Sequence, residues 1–264
     1  MSAQLKEVAA QTVAIVDRGG YRAPSGAWVD FAAARDAAVD GTRHHLPEEP
    51  LAAARSGAVP TITVTNETTL SAGRRLGPGA VAPNFASARN PGGGFLTGAK
   101  SQEEDIARAS ALHACLTTVM DYYEYHRAHA DLRYSDRVIY SPGVPVFRDD
   151  DLGLLDAAYQ LSIITAAAPN LGAIRNNQPD LAGSVPDAVR VRAKRVLLVA
   201  AVHGHRRLVL GAWGCGVFRN DPTVVAQAFA DGLRAVDAFD EVCFAVLDRA
   251  PGTPTYRAFS DVLC

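Results

Sequence analysis

The chain has 264 residues, 48% of them hydrophobic and 20% charged, a composition that excludes a disordered or fibrous protein and is sufficient for a substantial buried core. With 26 basic against 28 acidic side chains, the net charge of −2 excludes a general electrostatic attraction to nucleic acid. A phosphate-bearing ligand has to be held locally, by backbone amides and a few cations. Cys115, Cys215, Cys243 and Cys264 are too scattered for a disulfide framework, the N-terminus shows no signal region, and no apolar run reaches the roughly 20 residues of a membrane span, so a cytoplasmic protein with free thiols is expected.

Apolar spacing predicts helices over Leu5–Val16 and Trp28–Ala38, and a third, weak one over Pro47–Arg55. Pro60–Thr65 is β-branched and short, the profile of a buried strand. A helix over Thr68–Arg75 and a strand over Gly79–Phe85 follow, then a glycine-rich loop and a long helix from about Ser101 to Arg127. Further strands are predicted at Arg137–Ser141, Leu161–Ala167, Leu208–Ala212 and Val242–Leu247. Helices fall at Asp187–His203 and at Pro222–Val236, the second with proline at its start. Strands alternating with helices imply a layered α/β sandwich with a mostly parallel or mixed sheet, whose ligands sit at the carboxyl ends of strands. One compact core over residues 59–264, preceded by a helical accessory segment over residues 1–58, is the expected organisation.

Three consecutive glycines, Gly92-Gly93-Gly94, follow the Gly79–Phe85 strand. Glycines in series mark a backbone that takes unusual dihedrals or approaches something closely, and bare amides leading into a helix form a cradle for an anion or phosphate; a tight solvent turn is the alternative. Gly93, Gly98, Lys100 and Ser101 nearly match the nucleotide-triphosphatase phosphate loop, but Ala99 stands where that motif needs its lysine. Seven residues after the glycines come Gln102-Glu103-Glu104. Ser101 and Glu104 have the spacing of a capping box, and acidic residues in a first helical turn suit the macrodipole, so a structural reading of both glutamates stands beside a catalytic one.

The segment NFASARNPGGGFLTGAKSQEE, with Gly-Gly-Gly seven residues ahead of Gln-Glu-Glu, resembles the catalytic loop of the bacterial-type poly(ADP-ribose) glycohydrolases, a branch of the macrodomain fold. A second stretch, Leu210-Gly-Ala-Trp-Gly-Cys-Gly-Val-Phe-Arg-Asn-Asp221, is similar to that family's diphosphate-binding loop, and the likeness runs from about Val59 to the C-terminus. The resemblance implies a three-layer α/β/α macrodomain-like sandwich with a mixed central sheet and an N-terminal helical extension. It also implies hydrolysis of the ribose–ribose O-glycosidic bond, from the free end, with release of ADP-ribose.

By the family pattern, Glu104 is the general acid and then the base, and Glu103 orients the ribose hydroxyls and raises the pKa of its neighbour. Substrate contacts are expected from Asn84, Asn90, Gly92, Gly93, Gly94 and Gln102. The turn Gly214, Cys215, Gly216, Val217 and Phe218 is expected to wrap the diphosphate, with Phe218 packing on a ribose or the adenosine. Turn chemistry stands as the alternative for the asparagines, and plain core packing for Phe218. His203 and His205 read as a solvated turn rather than a metal pair, and Tyr122, Tyr123, Tyr125, His126 and His129 as a packed helix face. No cofactor or metal is expected. The implied partners are poly(ADP-ribose), ADP-ribose and ADP-ribosylated proteins, without nucleic acid or membrane, for a monomer that reverses ADP-ribosylation, including that of the DNA damage response. A non-catalytic ADP-ribose-binding macrodomain and a mono-ADP-ribosyl hydrolase are the competing functions, since the same fold supports all three.

Overall fold

The computed structural model describes residues 2–57 and 59–264. In chain order the elements are α1 (Ser2–Arg18), β1 (Gly20–Arg22), β2 (Trp28–Asp30), α2 (Ala32–Gly41), β3 (Arg43–His45), β4 (Thr61–Thr65), α3 (Thr69–Leu76) and β5 (Ala80–Phe85). After a 3₁₀ turn at Phe95–Thr97 come α4 (Gln102–Ala109), α5 (Leu112–Leu116), α6 (Met120–Ala128), β6 (Val138–Arg148) and β7 (Leu154–Ala166). The chain closes with α7 (Leu171–Asn177), α8 (Val185–Val202), β8 (Arg207–Leu210), α9 (Pro222–Val236), β9 (Glu241–Ala245) and α10 (Pro254–Leu263).

Seven strands form one sheet in the order β3-β6-β7-β5-β8-β9-β4. The run from β7 to β4 is parallel, while β6 and β3 are antiparallel to their neighbours, so the sheet is mixed. Successive side chains of a strand point to opposite faces, and both faces here are apolar. Val81, Ile164, Leu208, Leu210, Val242 and Phe244 pack under α7 to α10. Ala82, Ile163, Val209 and Cys243 pack under α1 to α6. The result is the expected three-layer sandwich, with macrodomain-like helices on both faces of a mixed sheet. The N-terminal extension holds, besides α1 and α2, the β1–β2 hairpin and the edge strand β3.

Local signals set several boundaries. The Asp221 carboxylate accepts the Thr223 amide at 2.8 Å and Pro222 takes the first turn of α9, which ends at Asp237 in a left-handed conformation. Thr68 caps α3, and Gly77 stops it with a φ of 78°.

Other expectations fail for identifiable reasons. Trp28–Asp30 is a strand of a hairpin whose turn contains Gly26, and the helix begins only at Ala32. Pro47–Arg55 forms no helix; Pro47 and Pro50 each lack an amide donor. Pro60–Thr65 is a strand, but a half-exposed edge one. The predicted helix Ser101–Arg127 is three helices. Ser110 breaks the first, turning extended to bridge Val146, its hydroxyl bonding Ile106 O and the Leu112 amide. The β-branched run Thr117-Thr118-Val119 interrupts the second. β6 runs on past Pro142 and Pro145 through register shifts, because bulges absorb prolines that would end a regular strand. Among the described residues no helix is long and apolar enough to cross a membrane.

Candidate active site

A cavity of about 1020 Å³ opens where β5, β8 and β9 end, bordered by Phe85, Ala212 and Ala245. Its size is at the upper end for small-molecule sites and suits a ligand as large as a dinucleotide. Helix α4 begins at its wall. β5 pairs with β8 only at Ala80 and Val81, which leaves later backbone groups of β5 to other partners. The Gln102 carboxamide takes two of them, donating to Pro83 O at 2.7 Å and accepting the Phe85 amide at 2.8 Å, with a further bond to Thr69 Oγ1 at 3.1 Å. A side chain thus continues the ladder where the strand partner has left. Gln102 lines the cavity, but its polar atoms are engaged in clipping the first residue of α4 to the strand end.

That clip fixes the two glutamates that follow. Glu103 is 2% exposed; it accepts the Ser87 amide at 2.6 Å and Asn84 Nδ2 at 3.3 Å, and Asn84 also donates to Thr165 Oγ1. Asn84 therefore stands beneath the carboxylates on β5 and off the cavity lining, whereas Asn90 lies exposed on it. Glu104 accepts the Gly94 amide on Oε1 at 2.9 Å and the Ser101 hydroxyl on Oε2. The capping box is absent: Ser101 caps no amide through its side chain, and Glu104 bonds the hydroxyl of Ser101 rather than its backbone.

The glycine triplet serves these carboxylates. Gly93 has a φ of 61°, and a Cβ there would lie 2.3 Å from Glu104 Oε1 and 2.8 Å from Glu103 Oε2. Gly94 donates to Glu104 Oε1 at 2.9 Å, and Gly93 donates to Asn90 O at 3.0 Å. The glycines approach closely, as expected, and what Gly93 approaches is the chain's own glutamates.

Burial pushes the Glu103 carboxyl up to about 8, against the pull of the Ser87, Asn84 and Gly92 donors, and the neighbouring Glu104 adds to the rise. Because the folded value exceeds the ordinary value of 4.5, Glu103 favours the folded chain fully below that ordinary value. The contribution disappears as pH rises toward 8. We expect the urea midpoint to fall between about pH 5 and pH 8.5, and Glu103→Gln to flatten that fall. Parallel curves for the two proteins would contradict the assignment.

The second loop follows β8. Gly214 has a φ of 71° and packs so closely that a Cβ would lie 2.4 Å from Asn220 Nδ2 and 2.6 Å from the Ala168 side chain. Buried Asn220 closes the loop, its amide donating to Gly214 O at 3.0 Å and its side chain to Pro169 O at 2.9 Å. Among the described residues the amides of Gly214, Gly216, Val217 and Phe218 meet no protein acceptor, whereas the Cys215 amide donates to Ala212 O at 3.1 Å. Four amides without a protein acceptor on one cavity wall are donors of the kind that hold an anion. Burial pushes the Cys215 thiol up to about 12, so it supplies no thiolate at neutral pH. Phe218 is half-buried and packs on the core with one side while lining the cavity with another.

Several participants escaped sequence reasoning. Ser87 holds Glu103 by its amide, buried Arg108 ties α4 to Ala99 O at 2.7 Å, and Tyr134 lines the cavity from a left-handed backbone. Asn220 lay inside the recognised motif; Tyr134 carried no local signal. The histidine turn is not solvated as expected. His203 Nε2 lies 2.9 Å from His45 Nε2 and stacks on Tyr140, while His205 bonds the Tyr140 hydroxyl at 2.8 Å. Tyr122, Tyr123 and His126 are buried in a packed helix face, as expected.

Comparison with known proteins converges on one family. The model of the microbial-type PARG catalytic domain matches residues 9–149. The crystal structure of poly(ADP-ribose) glycohydrolase (PARG) from Thermomonospora curvata is 48% identical, with 99% of this chain and 100% of that one covered and a TM-score of 0.92. Its complex with the inhibitor ADP-HPD is 46% identical over 98% and 99% of the two chains, with a TM-score of 0.90. The Deinococcus radiodurans enzyme in complex with ADP-ribose is 45% identical over 86% and 96%, with a TM-score of 0.81. A comparison with curated proteins found no match.

Proposed function

This chain belongs to the microbial-type poly(ADP-ribose) glycohydrolase family, and from that membership we propose how its own residues break the bond. It is a glycoside hydrolase that cleaves the ribose–ribose O-glycosidic bonds of poly(ADP-ribose). The terminal ADP-ribose unit occupies the cavity, its diphosphate on the open amides of Gly214, Gly216, Val217 and Phe218. Its distal ribose lies between Phe218 and the wall that carries Asn90. Glu104 protonates the departing ribose oxygen as the oxocarbenium-like centre develops, then takes a proton from the attacking water. The substrate's diphosphate supplies the negative charge that a second carboxylate gives in other glycosidases.

The observation that carries the role of Glu104 is that both its oxygens are held, by the Gly94 amide and the Ser101 hydroxyl, at the wall of the cavity. A general acid has to be fixed within hydrogen-bond reach of the leaving oxygen, and two donors on separate elements achieve this. Glu103, neutral below about pH 8, limits the charge beside Glu104. Gln102 and Asn84 act beneath the site, the first by positioning α4 and the second by holding Glu103. We read the enzyme as a trimmer of free ends working in the cytoplasm; half-buried Phe218 at the cavity wall supports the first point and four unpaired cysteines the second.

Incubation with long end-labelled polymer, and separately with singly ADP-ribosylated protein, tests the reading. Free ADP-ribose is expected from the polymer from the earliest turnovers, with the protein-linked unit left in place. Early release of long oligomers would overturn end-trimming, and preference for the singly modified protein would overturn the substrate assignment.

A further inference from the structure

We propose that Tyr134 is a specificity-determining substrate contact, held against the terminal ADP-ribose unit by the buried guanidinium of Arg192; this rests on the functional reading above. Tyr134 has a φ of 60°, a conformation that a bulky L residue adopts only where its surroundings impose it, and such residues cluster at functional sites. The surroundings here do impose it. Before Tyr134, the Leu132 amide donates to Gln178 Oε1 at 3.0 Å and Leu132 O accepts the Asn170 amide at 2.9 Å. After it, Ser135 Oγ lies 2.8 Å from His126 Nε2.

Arg192, 2% exposed, joins these supports. Its Nη1 donates to Arg133 O at 2.8 Å, one residue before Tyr134, and to Ala167 O at 2.7 Å, while Nε pairs with Asp136 at 2.9 Å. A buried cation with this fan of acceptors couples the Tyr134 loop to the end of β7, where Ala168 borders the same cavity.

None of these bonds involves the Tyr134 side chain. Its ring stands 6.2 Å from that of Phe218 and 5.8 Å from that of His126, on the cavity wall, and its hydroxyl meets no partner among the described residues. The constraint therefore holds an aromatic face and a free hydroxyl where a ligand must pass. A ribose suits both, with C–H groups for the ring and hydroxyls for the phenol. With Phe218, Tyr134 forms an aromatic pair that selects the terminal sugar by shape and by one hydrogen bond.

Tyr134→Gly tests this without breaking the loop, because glycine adopts a φ of 60° freely. The variant is expected to keep or raise the melting temperature. It should weaken ADP-ribose binding and raise the KM for polymer about tenfold or more, with kcat changed less, as expected for a lost aromatic contact and hydrogen bond. Tyr134→Phe should lie between. Arg192→Lys should weaken ADP-ribose binding in the wild-type background and not further in Tyr134→Gly. Unchanged affinity and KM in Tyr134→Gly would overturn the contact, and equal losses from Arg192→Lys in both backgrounds would overturn its positioning role. A wild-type protein that binds ADP-ribose yet releases none from polymer would instead sink the functional reading, leaving the Tyr134 binding comparison intact.

Discussion

Replacing Glu104 by glutamine is expected to lower poly(ADP-ribose) turnover by about 10²–10⁴-fold, the range for losing a general acid, while ADP-ribose affinity stays near that of the wild type. Glutamine has the shape of glutamate, so its carbonyl can still accept the Gly94 amide that now meets Oε1 at 2.9 Å, and its amino group can donate to the Ser101 hydroxyl. Position is kept, and the carboxyl that gives and takes a proton is replaced by an amide that does neither. The loss should therefore appear in kcat, with KM little changed. Turnover equal to the wild type would remove Glu104 from the mechanism. An equal loss of ADP-ribose binding would show that the variant had disturbed the cavity, and would require another acid to be sought.

Gly93→Ala carries the second large effect, and it replaces no titratable group. The added Cβ would stand 2.3 Å from Glu104 Oε1, 2.8 Å from Glu103 Oε2 and 3.0 Å from Glu104 Cδ. Those carboxylates cannot step aside, because Gly94, Ser101, Ser87 and Asn84 hold them from other directions. Activity is expected to fall about 10²-fold or more, since a shift of roughly 1 Å in a reacting group suffices for that. Stability should fall by about 1–3 kcal/mol from strained dihedrals and overpacking. Gly26→Ala is the control: its φ is 87°, but a Cβ there has nothing within 4 Å. It bears the dihedral strain alone and should leave turnover unchanged. If Gly93→Ala cleaves polymer as the wild type does, close approach of the glycine to the glutamates has no part in catalysis.

Together these expectations locate the chemistry at one junction. Strand β5 ends, its backbone is handed to the Gln102 carboxamide, and α4 starts with two glutamates whose carboxyl groups accept backbone amides of the preceding loop. The helix N-terminus and the glycine loop thus hold the two glutamates, while the amides without a protein acceptor lie on the separate loop after β8.

Elements with strong local signals were legible in the chain. Helix α9 runs over Pro222–Val236 as predicted, because a capping aspartate and a proline start it and its apolar spacing is helical throughout. β5 was legible from a short apolar run, and the start of α4 at Gln102 from the Gly92-Gly93-Gly94 and Gln102-Glu103-Glu104 pattern that carries the family resemblance. The order of strands in the sheet, the break at Ser110 and the length of β6 were not legible, since each depends on a partner far along the chain. Ser110 turns extended to meet Val146, and β6 survives its prolines by bulging against β7. The same holds for Tyr134, whose left-handed backbone is imposed by Gln178 and Arg192, 44 and 58 positions later in the numbering. Sequence by itself determined the alternation that makes a layered α/β sandwich and the two motifs that carry the family resemblance, because propensity, capping and motif spacing act over a few residues. Only the tertiary structure decided that Gly93 lies against both buried glutamates, that the Glu103 carboxyl is raised, and that the Tyr134 ring stands on the cavity wall, because burial and hydrogen-bond partnership are set by distant segments brought together in the fold.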